Sequence, residues 1–147
     1  MPICYFNQNY EKKYSCEYSF ENNLIIIEER APVVVIEYKE KLRSRIKELL
    51  SKEVSLDDDR LNYEIAFFAD KSDINEEIVR LKSHSNQFLN SLDSNEPVGR
   101  KLDFILQEMN REVNTIGSKS DDVIISNCVV NIKSELEKTR EQVQNVE

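Results

Sequence analysis

Glycine is nearly missing from this chain: there are two in 147 residues, with three prolines, no tryptophan, three cysteines and a single histidine. Gly99 and Gly117 lie too far apart to form a phosphate-cradling loop of the Walker or Rossmann kind. So few turn residues also exclude a β-sandwich or barrel, and collagen-like or glycine-linker compositions. Cys4, Cys16 and Cys128 are odd in number and share no metal-ligand spacing, which predicts a reduced, intracellular protein. No G-x-S-x-G, H-E-x-x-H or C-x-x-C occurs, so serine hydrolase, zinc protease and thiol redox roles have no support. The longest apolar run, Ala31 to Ile36, is far short of the ~20 residues a membrane span needs. The start, MPICYFNQNY, lacks the charged and apolar regions of a signal peptide. The expected setting is cytoplasmic, with no membrane partner.

What remains is an acidic, helical pattern. The 28 acidic and 20 basic residues leave a net charge of −8. Residues 1–28 stand apart: aromatics from Tyr5 to Phe20 sit among Asn, Ser and Lys, and Asn23 to Ile27 has the look of a strand without a partner. From Ala31 the spacing is helical. Pro32 suits a first helical turn, and Val35, Tyr38, Leu42, Ile46 and Leu49 follow on one face. Asp57 to Asp59 open a second helix with Leu61, Ile65 and Phe68 as its apolar side. Asp73 and Glu76 predict a capping box for a third helix, with Ile74, Ile78, Leu81, Ser85, Phe88 and Leu92 as its stripe. Asn95-Glu96-Pro97 breaks the chain. A fourth helix runs from about Val98 along Leu102, Ile105, Leu106, Met109, Val113 and Ile116, and Gly117 suits its C-terminal cap. After Asp121-Asp122, Ile125, Val129, Ile132, Leu136, Thr139, Val143 and Val146 repeat with heptad spacing. That seam fits either self-association or the packing face of a bundle. The expectation is an all-α protein of about five helices, bundled or extended, with long C-terminal helices.

Two polar stripes carry the candidate chemistry. On the fourth helix, Asp103, Gln107, Asn110 and Asn114 recur at 4-3-4 spacing, flanked by Arg100, Glu108, Arg111 and Glu112. Asn and Asp are mediocre helix formers, so a ligand or a polar network between helices is the reason to expect for them. On the third helix, Asp73, Glu77, Arg80 and His84 share a face. Glu77 and His84 are ~10.5 Å apart along the axis and cannot easily chelate one ion by themselves. Glu108 and Glu112, one turn apart, suit a hard cation such as Mg²⁺ or Mn²⁺, with His84 as a third ligand or general base. Basic residues cluster from Lys39 to Lys47, where Lys39, Lys41, Arg43, Arg45 and Lys47 are interrupted by Glu40 alone. They can hold phosphates, although ordinary i,i+4 surface pairing explains them slightly better. Residues 98–119 carry a small positive excess despite the acidic total.

ADKSDINEEIVRLKSH (Ala69–His84), GRKLDFILQEMNREVNTIGSKS (Gly99–Ser120) and REQVQNVE (Arg140–Glu147) closely resemble the C-terminal domain of the YicC/YloC family of bacterial proteins. ERAPVVVIEYKEKLRSRIKELL (Glu29–Leu50) resembles the segment leading into that domain. The resemblance implies a metal-dependent endoribonuclease, using Mn²⁺ or Mg²⁺, that cleaves single-stranded RNA and assembles as a homo-oligomer, a hexamer. It carries over Asp73, Glu77, Arg80, His84, Gly99, Arg100, Asp103, Gln107, Glu108, Asn110, Arg111, Glu112, Asn114 and Lys119. Chemistry then suggests the roles. His84, Glu77, Glu108 and Glu112 are the expected catalytic groups, and Glu108, Glu112, His84 and Asp73 the expected metal ligands. Arg80, Arg100, Arg111, Lys119, Gln107, Asn110 and Asn114 are expected on the RNA. The family's MTGFG-type start and N-terminal domain have no counterpart in the sequence, so a truncated or split member is expected. The expected division is residues 1–28 unmatched, 29–56 a linking helix and 57–147 the family's helical domain. The rival reading is a catalytically impaired scaffold that binds RNA or forms oligomers.

Overall fold

The computed structural model describes residues 10–49, 57–92 and 98–145. These form five helices, with the α2–α3 and α4–α5 connections described: α1 (Tyr10–Leu49), α2 (Asp58–Lys71), α3 (Asn75–Leu92), α4 (Gly99–Lys119) and α5 (Val123–Gln144). The described residues contain no strand, and none of their helices is long and apolar enough to cross a membrane.

α1 is the main departure from expectation. Its 40 residues extend about 60 Å, roughly twice the reach of α3, α4 or α5. The sequence pattern suggested a strand at Asn23–Ile27 and a helix start near Pro32. Instead the helix is continuous, and Pro32 lies inside it, where the N–H it lacks would have met the carbonyl of Glu28. Phe20, Leu24 and Ile27, at i, i+4 and i+7, are all buried. An interior proline costs ~3 kcal/mol or more, and burial of each of these side chains returns about 1.5–3 kcal/mol. The helical register is the one that brings all three to a single face, so burial overrides the β-branched propensity of Ile25 to Ile27. Residues 1–9 lie outside the described region.

The first half of α1 packs with α3, α4 and α5 as a bundle with antiparallel neighbours. Asn131 Nδ2 of α5 donates to Asn23 Oδ1 at 3.2 Å, and Lys82 of α3 meets Glu28 at 2.8 Å. The core joins Phe20, Leu24 and Ile27 to Phe88, Met109, Ile116 and Ile132. Every described member of the heptad seam, from Ile125 to Val143, is buried within the one chain. Its role is therefore bundle packing rather than the joining of copies; Val146 lies outside the described residues. The apolar stripe expected on α4 is buried in full.

The second half of α1 runs past the end of the bundle, and none of residues 28–49 is fully buried. α2 lies along this overhang, with Tyr38 and Phe68 stacked at 3.7 Å between ring centroids and 8° between planes. Leu61 is the buried residue of α2.

Two local expectations change. Gly117 is not a left-handed cap, because α4 continues to Lys119 and neither described glycine has positive φ. It marks a close approach of α4 and α5 instead: a Cβ there would stand 3.3 Å from Val129 Cγ1. The Asp73–Glu76 box does not close. Asp73 Oδ1 accepts from the Asn75 N–H at 2.9 Å, and Glu76 turns to Arg80.

Candidate functional site

Buried charge collects at the seam between α3 and α4. Glu77 is 3% exposed and Glu112 is 6% exposed. Arg80 Nε donates to Glu112 Oε1 at 3.0 Å, Nη1 reaches Glu76 at 2.6 Å, and Nη2 lies 3.6 Å from Glu77 Oε1. Lys119, at the far end of α4, donates to Glu77 Oε1 at 2.8 Å and to the Asp73 carbonyl at 3.0 Å. The hydrogen bond that Arg80 donates to Glu112, more than any other contact, raises the Arg80 pKa and keeps the guanidinium charged. A carboxylate taken out of water needs such partners, since burial penalises its charged form heavily. Glu77 Oε2, buried and without a hydrogen bond, is the group left uncompensated. Glu77, Arg80, Glu112, Lys119 and the Asp73 backbone thus meet, although 42 positions separate Glu77 from Lys119 in the sequence.

The four expected metal ligands do not converge. The Asp73 carboxylate caps α3, Glu112 is held by Arg80, and Glu108 lies 3.6 Å from Arg111 on the more open side of α4. His84 is half-buried, with no hydrogen bond to a described residue. Among the described residues no three His, Cys, Asp or Glu side chains gather closely enough to hold a metal ion. Glu108 and Glu112 are one turn apart, as expected, but the seam draws Glu112 inward and away from its neighbour. The donor set within one chain therefore does not fit a divalent cation.

The polar stripe of α4 divides. Asp103 accepts from Gln107 Nε2 at 2.6 Å and from Arg140 Nε of α5 at 3.3 Å, which ties α4 to α5. Gln107, Asn110, Arg111 and Asn114 line an open groove of about 490 Å³ along the outer side of α4. Arg111 is largely exposed, and Arg100, near the start of α4, is also exposed.

A second concavity, of about 550 Å³, lies where α1, the α2–α3 junction and the α4–α5 turn meet. Arg30 anchors it. The guanidinium donates to Asp122 Oδ2 from Nε at 3.1 Å and from Nη2 at 2.8 Å, and holds Glu37 at 2.6 and 3.0 Å. Asp122 also caps α5, accepting from the Ile124 and Ile125 N–H groups at 3.1 Å. Hydrogen bonding to Arg30 lowers the pKa of both carboxyls and raises that of Arg30. Asp122 was legible as a helix opener. Arg30 was not, because its partner lies 92 positions away.

The chain matches a family described as endoribonuclease YicC-like, C-terminal, over residues 27–147. It belongs to that family. It is 54% identical over 127 residues to a probable endoribonuclease YicC of Clostridioides difficile (strain 630), covering 86% of this chain and 43% of that protein. A probable endoribonuclease YicC of Haemophilus influenzae (strain ATCC 51907 / DSM 11121 / KW20 / Rd) is 37% identical over 121 residues, 82% of this chain and 41% of that protein. The chain thus spans less than half the length of these relatives. The YicC-like match takes in the α3–α4 charged seam, the α4 groove and the whole of α2.

Proposed function

We propose that this chain is the helical domain of an endoribonuclease that cleaves single-stranded RNA in the cytoplasm, with the outer side of α4 as an RNA-contacting surface. The observation that carries this reading is the sorting of polar residues on α4. Glu112 is spent inside the bundle, whereas Arg111 and the amides of Gln107, Asn110 and Asn114 are left lining an open groove. A guanidinium beside carboxamides suits phosphate oxygens and base edges of an unpaired strand, and the relatives' name supplies the reaction class.

Within this reading Glu77, Arg80, Glu112 and Lys119 are positioning residues: they hold α3 and α4 in register and present the groove. Glu108 and His84, without a buried partner among the described residues, are the groups suited to moving a proton during phosphodiester cleavage. A requirement for Mn²⁺ or Mg²⁺ calls for donors beyond Glu108, Glu112, His84 and Asp73 of a single chain. Assembly into a homo-oligomer, a hexamer by family resemblance, belongs to the same proposal and needs a surface other than the α5 seam.

The decisive experiment incubates the purified chain with labelled single-stranded RNA and Mn²⁺, with EDTA as a control. Cleavage that falls at least about tenfold in Glu108→Ala or His84→Ala supports the reading; cleavage unchanged in both removes the assigned roles. The second reading, an RNA-binding scaffold, is favoured by the failure of the four expected ligands to converge. It predicts RNA binding without cleavage.

A further inference from the structure

The outer face of α4 carries one side chain that neither the bundle nor the groove accounts for. Phe104 is 62% exposed, and it is the one exposed large apolar residue of this helix. At about 100° per residue it points opposite Val113, which is buried in the core. Arg100, Lys101, Gln107, Glu108 and Arg111 all fall within roughly 60° of Phe104 on the same face. Of these, Arg100, Lys101, Gln107 and Arg111 are exposed as well. Arg100 stands one turn before the ring, about 6 Å along the axis, and Arg111 two turns after it, about 10 Å away. Among the described residues Arg100 and Lys101 form no ion pair, and Arg111 lies 3.6 Å from Glu108. Three cations and one carboxylate therefore surround an exposed ring on a single helix face.

We propose that Phe104 is a base-stacking platform for single-stranded RNA: one base lies on the ring, and the phosphates on either side of it meet Arg100 and Arg111. The inference rests on reading the outer side of α4 as an RNA-contacting surface, and carries that contact one turn beyond the groove that includes Gln107 and Arg111. Every base has a π-face, so a single exposed ring between cations is enough to hold one without sequence preference. A duplex keeps its base faces stacked on one another and offers nothing to the ring. A second copy of the chain suits this face less well. A stable protein interface covers about 800 Å² per partner around an apolar centre, and the outer side of α4 offers one ring among polar side chains.

The chain contains no tryptophan, so Phe104→Trp in the full chain places its sole indole at the proposed platform. Titration with a single-stranded oligouridylate in EDTA is expected to quench the indole emission, and a blunt RNA duplex to leave it nearly unchanged. Affinities come from fluorescence anisotropy of the same oligouridylate carrying 5′-fluorescein, across a salt series. Phe104→Leu keeps the apolar bulk and removes the π-face; it is expected to weaken binding about tenfold with the salt slope unchanged. Phe104→Trp is expected to keep the parent's affinity. The double change Arg100→Gln, Arg111→Gln is expected to weaken binding and to lower the log–log salt slope by about 1.4. Circular dichroism checks that all variants keep the parent's helix content. If the arginine variant binds weakly while Phe104→Leu binds like the parent, or the indole stays unquenched, the platform is refuted and the α4 reading stands. If the parent binds no RNA, or neither Phe104→Leu nor the arginine variant binds more weakly, both fall. An altered oligomeric state of Phe104→Leu in size-exclusion chromatography assigns the ring to a second copy of the chain and overturns the proposal.

Discussion

The bundle and the arm are built from the same kind of helix yet obey different economies. In the bundle, α3, α4, α5 and the first half of α1 bury one continuous apolar core, together with the Glu77 and Glu112 carboxylates. In the arm, α2 and the second half of α1 share little more than Leu61 and one aromatic stack, and leave cations and two aromatic rings in solvent. Few buried contacts mean low local stability. The comparison teaches that burial sets the architecture at one end, while the other end is free to carry surface chemistry.

The comparison breaks most plainly in the core. Phe88 is fully buried, so Phe88→Ala is expected to cost about 3–5 kcal/mol of global stability, read from urea unfolding by circular dichroism. A loss below ~1 kcal/mol would mean that the bundle is not one cooperative unit. A smaller effect is expected at the seam. Lys119→Met leaves buried Glu77 without its closest cation, for a loss of about 1–3 kcal/mol. Glu77→Gln on that background is expected to recover part of it, because the uncompensated charge is gone.

The smallest effect lies where the two regions join. The Asp122 pKa is depressed by Arg30, so the stability this pair confers is complete above the ordinary aspartate value near ~3.9. It is lost as pH falls through the lower folded value. Arg30→Met is therefore expected to lower the melting temperature at pH 7 and to match the parent once acid has protonated both Asp122 and Glu37, whose pKa Arg30 also lowers. A difference between the two proteins that persists at the acid end would show that Arg30 acts through packing rather than charge.

Much of the helix inventory was legible, because a 3.6-residue period identifies a buried face whatever lies opposite it. Leu102 to Ile116 on α4 and Ile125 to Val143 on α5 needed no tertiary knowledge to locate. Local signals failed where a distant neighbour decided the outcome. Residues 23–27 carried strand-like composition until α5 and the bundle core offered a surface for Phe20, Leu24 and Ile27. Gly117 resembled a helix stop, but its lack of a side chain serves the approach of Val129. The site was legible as a set of residues and not as a geometry. Glu108 and Glu112 differ by one turn on α4, and only the presence of Arg80 on α3 separates their fates.

The sequence by itself determined that the chain is helical, acidic and poor in turns, and which faces of α3, α4 and α5 turn inward. Those properties follow from composition and period, which act within a few residues. Tertiary structure decided which charges are buried, which seam is used within the chain, and that α1 outruns its bundle to form an arm. Those depend on partners 30 to 108 positions away, and packing and desolvation act between neighbours in space rather than in sequence.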